Sequence, residues 1–226
     1  MEATSTTSAK DLWNGGDSPF RVSYGKVMMW YFLISDTFTF AGLLISYGAV
    51  RVSQPRHDPA NPHSWPDPNQ VFNAVPFLHD MKLPLVFVTF MTFTLIFSSV
   101  TMVRAVQEGH EMNKKGVMFW LFLTILGGLT FVGSQAFEWS HLIREGQTLS
   151  HNPFGAASFG ALFFLITGFH GTHVSIGVCL NSWAFISTWR GVFQKRGHYE
   201  MIEKLGLYWH FVDLVWVFVF LAFYLL

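Results

Sequence analysis

The sequence predicts an all-α membrane protein in which five transmembrane helices form a bundle. Of its 226 residues, 51% are hydrophobic, 18% aromatic and only 12% charged, which is too apolar for an ordinary soluble domain. Stretches apolar and long enough to cross a bilayer, which takes about 20 residues, occur five times. The formal net charge is zero, which argues against a nucleic-acid partner. The single cysteine, Cys179, excludes a disulfide framework and lies in an apolar run that does not suit a catalytic thiol.

The five predicted spans follow a polar tail. Residues 1–26 contain no apolar core preceded by Lys or Arg at their start, so we interpret them as a solvated tail and not as a signal peptide. The spans lie near residues 27–50, 83–106, 116–141, 156–189 and 205–226. The fourth is longer than a bilayer requires and must tilt or project into water. We expect residues 27–226 to form a single transmembrane domain, because no internal repeat or second domain is evident.

A proline-rich loop separates the first two spans. Residues 51–82 hold six of the nine prolines. Proline lacks a backbone N–H and interrupts helices. We therefore expect an extended excursion on the protein surface here and not a sixth span.

The distribution of Lys and Arg predicts the orientation. If the N-terminus is cytoplasmic, ten of the 14 basic residues face the cytoplasm and four face the opposite side. Positive charge accumulates on the cytoplasmic side of membrane proteins. The N-terminus is therefore expected inside, with the C-terminus and the proline-rich loop on the outer, periplasmic side.

Five ionisable side chains lie in the inner half or middle of the predicted spans. Such groups are expensive in hydrocarbon, so each is a functional hypothesis by default. The first span carries Asp36, the fourth carries His170 and His173, and the fifth carries His210 and Asp213. Residues three apart share a helix face. We expect these five side chains to form one inner polar network, in which a carboxylate can also accept an imidazole N–H within a single helix.

A second polar group is expected near the outer interface. Glu138 and His141 end the third span and lie at a different depth from the inner residues. Tryptophans such as Trp209 and Trp216 fit interfacial belts and contact with lipid.

Three interpretations compete for these polar residues. They can form interhelical hydrogen bonds that fix the packing of apolar helices. They can bind metal, since di-iron bundles use Glu-x-x-His on paired helices, although only one Glu-x-x-His occurs here and its depth differs from the rest. They can also handle protons, with Asp36 as the central acid. The residues alone leave all three open.

Four motifs taken together resemble one known family. They are TGFHGTHV at 167–174, YWHFVD at 208–213, SSVTM at 98–102 and QAFEW at 135–139. In type and order they resemble subunit III of the haem–copper terminal oxidases, and the resemblance covers about residues 25–226. It is closest to the short bacterial form, because mitochondrial members have seven helices and this chain has the last five.

The resemblance implies a non-redox subunit of a respiratory complex in the bacterial inner membrane. That complex reduces oxygen to water and pumps protons. Haem and copper are then expected on partner subunits, with no catalytic, cofactor-binding or metal-binding residue on this chain. It implies packing against subunit I, association with subunit II and small subunits, bound phospholipid and support of proton uptake. Asp36 stands where mitochondrial members carry a glutamate that reacts with carbodiimide. This chain therefore has a carboxylic acid at the same place, but on a shorter side chain.

Several features of the sequence allow more than one interpretation. Arg190, Lys195 and Arg196 are candidates for binding lipid headgroups, although ordinary positive-inside charge explains them equally. Cytochrome c and quinol remain alternative electron donors, and the sequence does not decide haem type or membership of a respiratory supercomplex. A stand-alone membrane metalloenzyme with intramembrane His and Glu ligands is the alternative function. A small proton-coupled transporter is disfavoured by the lack of repeat symmetry.

Overall fold

The computed structural model describes residues 23–55, 64–67, 71–72 and 85–225, which contain helices and no strand. Five of these helices are long and apolar enough to cross a membrane. The predicted all-α class with five spans is confirmed. Most of the polar tail and much of the proline-rich loop lie outside the described residues.

The helices are longer than most of the spans expected from hydropathy, because polar residues continue them beyond the apolar core. In chain order they are α1 (Tyr24–Ser53), α2 (Val86–His110), α3 (Lys114–Arg144), α4 (Ala157–Trp189), the short α5 (Val192–Arg196) and α6 (Glu200–Phe220). A π-helical turn, Leu221–Leu225, continues α6.

Four of the helices form a closed ring, and α1 lies outside it. Helix α2 packs against α3 and α6, and α4 packs against the same two neighbours. Helix α1 packs mainly on α6 and α4. In the most apolar stretch of α6, 50% of the residues are buried, against 17% for α1. The ring is therefore the core of the protein, and α1 is its least enclosed spanning helix.

Glycines on two helices make a slot for the indole of Trp209. A Cβ added to Gly128 of α3 would lie 2.7 Å from the ring, and one added to Gly177 of α4 would lie 2.8 Å from it. Trp209 has no exposed surface. Because glycine has no side chain at these two positions, α3 and α4 can pack closely against α6, which is how small residues act in membrane bundles.

Short connections fix the neighbouring helices. The Asn113 side chain caps α3 by accepting a hydrogen bond from the Gly116 backbone N–H at 3.3 Å. Gly191 and Gly197 flank α5 with φ of 73° and 76°, a left-handed conformation that glycine adopts without strain. These turns return the chain from α4 into α6.

The described part of the proline-rich loop packs into the bundle. Trp65 is 5% exposed and its ring centre lies 5.5 Å from that of Phe159. Phe72 is equally buried, and its ring centre lies 4.2 Å from that of Tyr224. We expected this loop to lie on the protein surface. Trp65 and Phe72 are instead buried, where their rings cover one end of the helix core.

Candidate functional site

One face of α1 carries a buried acid. The buried residues of this helix are Leu33, Asp36, Phe40 and Tyr47. Their spacing places them on a single stripe of the helix. Because this stripe packs on α4 and α6, Asp36 is only 8% exposed.

Asp36 meets His173 where α1 contacts α4. Oδ2 of Asp36 lies 3.2 Å from Nε2 of His173, and the two side chains are 10% and 11% exposed. This is an ion-pair distance, although the ring N–H is not well aligned for a hydrogen bond. The contact brings together two of the residues that the sequence predicted to share a network.

The second nitrogen of His173 constrains where the proton of this pair can lie. Nδ1 is 2.8 Å from the carbonyl oxygen of Phe169. A carbonyl only accepts, so Nδ1 carries a hydrogen. Nε2 is then an acceptor in the neutral ring and a donor in the charged ring. A single proton shared with Asp36 therefore leaves the pair without net charge, whether the proton sits on the carboxyl group or on the ring.

His170 takes a different partner. Its Nε2 lies 3.1 Å from the carbonyl oxygen of Val212 on α6, so this nitrogen is the donor. The ring has no exposed surface, and its centre lies 5.7 Å from that of Phe131 and 5.1 Å from that of Trp216. The two histidines of the fourth span thus connect α4 to two different neighbours, α6 and α1.

A seam of hydrogen bonds joins α6 to α2. Nδ1 of His210 lies 2.5 Å from the Ser99 hydroxyl. The indole N–H of Trp209 donates to the Ser98 hydroxyl at 3.1 Å. Two consecutive serines of α2 therefore bind two consecutive residues of α6.

Asp213 lies at the same seam without a strong partner. It is 8% exposed, and within the described residues neither carboxylate oxygen makes a hydrogen bond of good geometry, although Ser99 lies close by. His210 uses Nδ1 for Ser99, so the hydrogen bond that His210 and Asp213 could make within one helix is not formed at that nitrogen.

The expected inner residues are therefore distributed over separate contacts between helices. The contacts are Asp36 with His173, His170 with the carbonyl of Val212, and His210 with Ser99 beside Asp213. Each contact crosses from one helix to another, so the arrangement connects α1, α2, α4 and α6.

The outer residues also separate. The Tyr224 hydroxyl lies 3.1 Å and 3.0 Å from the two carboxylate oxygens of Glu138, which is 5% exposed. His141 instead pairs along its own helix, with Nδ1 3.6 Å from Oε1 of Glu145. Glu138 thus ties α3 to the turn that follows α6, and His141 takes no part in that contact.

Sequence reasoning missed several of these partners. The Tyr208 hydroxyl donates to the carbonyl of His173 at 2.9 Å, and the indole of Trp216 donates to the Thr92 hydroxyl at 3.0 Å. The assignment of Trp209 and Trp216 to interfacial belts and lipid contact was wrong, since neither has exposed surface. The signal available in the sequence was a polar tip on an aromatic ring within a spanning segment, because such a group normally needs a partner when it is buried.

The cationic candidates lie at the surface near one end of the bundle. Arg190 directly follows α4, and Lys195 and Arg196 end α5. All three side chains are exposed.

In the part of the chain that the structure describes, no three His, Cys, Asp or Glu side chains form a group that could hold a metal ion.

Comparison with known proteins adds the family. The family model for cytochrome c oxidase subunit III matches residues 11–226. The probable quinol oxidase subunit 3 of Staphylococcus aureus (strain USA300) is 39% identical over 149 residues, covering 64% of this chain and 68% of that protein. The corresponding protein of Staphylococcus saprophyticus is 35% identical over 146 residues, with the same coverage of 64% and 68%. The chain therefore belongs to the cytochrome c oxidase subunit III family, as a non-catalytic subunit III of a haem–copper oxidase.

Proposed function

We propose that this chain is the non-redox subunit III of a proton-pumping respiratory oxidase in a bacterial inner membrane. It is a multi-pass membrane protein and part of a multisubunit oxidase complex. The family match over residues 11–226 carries the proposal, because it includes all five spanning helices. In this proposal haem and copper reside on subunits I and II, and those subunits also determine whether cytochrome c or quinol supplies the electrons.

The interhelical contacts support a role in stabilising subunit I. Lipid offers no hydrophobic force that drives helices together, so close packing and hydrogen bonds hold a membrane bundle. Here the Trp209 slot and the polar contacts at His170 and Glu138 join the helices of the ring. A bundle fixed in this way presents a defined surface to subunit I, subunit II and small subunits.

The Asp36–His173 pair supports a role in proton uptake. A carboxyl group and an imidazole at 3.2 Å can share a proton without changing their net charge. That lowers the cost of keeping titratable groups within a membrane span. We assign proton handling to this pair ahead of the other polar residues because its two titratable members lie within ion-pair distance of each other.

Bound phospholipid is the third part of the proposal. With the N-terminus in the cytoplasm, the α4–α5 junction lies at the cytoplasmic boundary of the membrane. Arg190, Lys195 and Arg196 are exposed there, where anionic headgroups are available. Exposure and charge support these residues as headgroup anchors.

Purification of the complex tests the proposal. An affinity tag on this chain, used in mild detergent, is expected to recover a haem-containing subunit in equal amount. The purified complex is expected to consume oxygen when quinol or reduced cytochrome c is supplied as electron donor. An equally tagged, unrelated multi-pass protein from the same membranes controls for carry-over. Recovery of the chain without a haem subunit would overturn the proposal. Stoichiometric iron or zinc retained by the separated chain would instead favour the stand-alone metalloenzyme.

A further inference from the structure

A groove opens between α1 and α2, and α6 forms its floor. Both α1 and α2 pack on α6. The groove has a volume of about 320 Å³, and the residues that shape it include Lys26 and Trp30 of α1, Val103 and Val106 of α2, and Leu207 and His210 of α6. Apolar walls with a small number of polar groups are typical of sites for small molecules.

The charged side chains of the groove are paired with one another. Nζ of Lys26 lies 2.7 Å from Oε1 of Glu203, which also lines the groove. Nζ of Lys204 lies 3.4 Å from Oε2 of Glu200. Each ammonium group therefore already has a carboxylate partner, for which an anionic headgroup would have to compete. Since these four charges sum to zero, the groove does not select a charged ligand.

His210 supplies a polar atom farther along the groove. It follows Glu203 by seven residues, which is about 10 Å along α6. Its Nδ1 is engaged by the Ser99 hydroxyl at 2.5 Å. Its Nε2 makes no hydrogen bond to another described residue and is not one of the enclosed polar atoms of the chain. Because the ring lines the groove, a ligand there can reach Nε2 without a rearrangement of the side chain.

The Ser99 contact determines how Nε2 can bond to a ligand. If the Ser99 hydroxyl donates to Nδ1, Nε2 carries the ring hydrogen and is a donor. If Nδ1 donates to Ser99, Nε2 of the neutral ring is an acceptor. A hydroxyl group both donates and accepts, so it matches either form. A carboxylate oxygen only accepts and an ammonium group only donates, so each matches one form alone.

We propose that the groove between α1 and α2 binds an uncharged amphiphile whose polar end is a hydroxyl group. This hydroxyl group bonds to Nε2 of His210, and the hydrocarbon body lies along Val103, Val106 and Leu207. Quinols and long-chain alcohols share this chemistry. The inference concerns binding alone and goes beyond the proposed function, because it adds a ligand that differs from an anionic phospholipid.

The first test locates the ligand and reads its polar end. A diazirine amino acid replaces Val103 in the wall of the groove, and the control is the same replacement at Val100, which is similarly exposed on α2 outside the groove. The purified complex, kept free of oxygen, receives decylubiquinol, 1-dodecanol or dodecyl phosphate at equal concentration before illumination. Mass spectrometry is expected to find roughly tenfold more adduct at position 103 with an uncharged probe than with dodecyl phosphate, which corresponds to about 1.4 kcal/mol. Position 100 is expected to show no such preference. Equal labelling of position 103 by dodecyl phosphate, or no adduct there with any probe, would overturn the proposal.

The two uncharged probes separate the possible sources of the ligand. Stronger labelling by decylubiquinol assigns the groove to a quinol, and equal or stronger labelling by 1-dodecanol assigns it to a long-chain alcohol. Leu207→Trp fills the floor and is expected to abolish labelling at position 103. Leu214→Trp, exposed on the same helix outside the groove, is the matched control and is expected to leave it unchanged. Labelling that survives Leu207→Trp would place the probe elsewhere.

The role of His210 is tested against that of Ser99. His210→Phe keeps an aromatic ring and removes Nε2, whereas Ser99→Ala breaks the same contact between α2 and α6 and leaves Nε2 in place. Loss of one hydrogen bond is expected to lower labelling by 1-dodecanol roughly tenfold in His210→Phe, with labelling retained in Ser99→Ala. Equal labelling of the two variants would show that Nε2 does not hold the hydroxyl group. Adducts are scored on peptides of this chain, so recovery of haem decides only the proposed function.

Discussion

The Trp209 slot allows a sharp test of how tightly the ring of helices is packed. In the variant Gly128→Ala, the new Cβ would lie 2.6 Å from Cγ2 of Val178 and 2.7 Å from the Trp209 ring. Both distances are far below ordinary carbon–carbon contact of about 3.5–4.0 Å. Either α3 must move away from α4 and α6, or the indole must leave its position.

The indole has little freedom to move. Its N–H is hydrogen-bonded to Ser98 at 3.1 Å, and Gly177 closes the other side of the slot, with an added Cβ only 2.8 Å from the ring. Overpacking of such a site destabilises a protein by about 1–3 kcal/mol. At about 1.4 kcal/mol per factor of ten, this corresponds to roughly a 5- to 150-fold change in the unfolding equilibrium.

Thermal unfolding in mild detergent measures this effect. Gly128→Ala is expected to lower the Tm of the tagged chain and to weaken retention of the haem subunit. Gly133→Ala on the same helix is the control, since an added Cβ there meets nothing within 4 Å and alanine favours helix over glycine by up to about 1 kcal/mol. If Gly128→Ala is as stable as Gly133→Ala, the packing argument for the slot is wrong.

Three further changes probe the polar contacts. Asp36→Asn removes the carboxyl group that lies 3.2 Å from Nε2 of His173, so we expect an assembled complex with slower proton uptake or a shorter catalytic lifetime; unchanged turnover and lifetime would reduce Asp36 to a packing role. Tyr224→Phe takes the hydroxyl from buried Glu138 and is expected to destabilise the chain by about 1–3 kcal/mol, seen as a lower Tm, and an unaltered Tm would contradict this. His170→Leu removes the donor to the α6 carbonyl, and we expect weaker association with subunit I in native mass spectrometry, whereas a fully stable complex would argue against it.

The sequence predicted the helical class well because a bilayer permits few alternatives. Backbone groups in lipid must pair within their own segment, so an apolar run of sufficient length is a helix. The ends were less predictable, since Glu200 and its polar neighbours continue α6 beyond the apolar stretch. Trp65 and Phe72 lie in a proline-rich loop, and nothing local to them indicates that a bundle end with space for their rings lies nearby.

The buried polar residues were identified from the sequence, but most of their individual partners were not. His170 and His173 are three apart, which is about 60° around a helix axis. That angle is enough for the two rings to face α6 and α1 separately, as they do. Trp209 was misassigned to lipid for a related reason, because its slot consists of glycines from two other helices. Which side chains meet depends on how the helices are rotated against one another, and periodicity within one helix does not contain that information.

The peripheral position of α1 has a consequence for exchange with solvent. Proteins open locally where the fewest contacts must be broken, and α1 is the spanning helix with the smallest buried fraction. Asp36 lies on the inner stripe of this helix, and His173 belongs to the ring. A small outward movement of α1 would therefore separate Asp36 from His173 while the ring stays intact. We expect amide protons on the inner stripe of α1 to exchange sooner than those of α6.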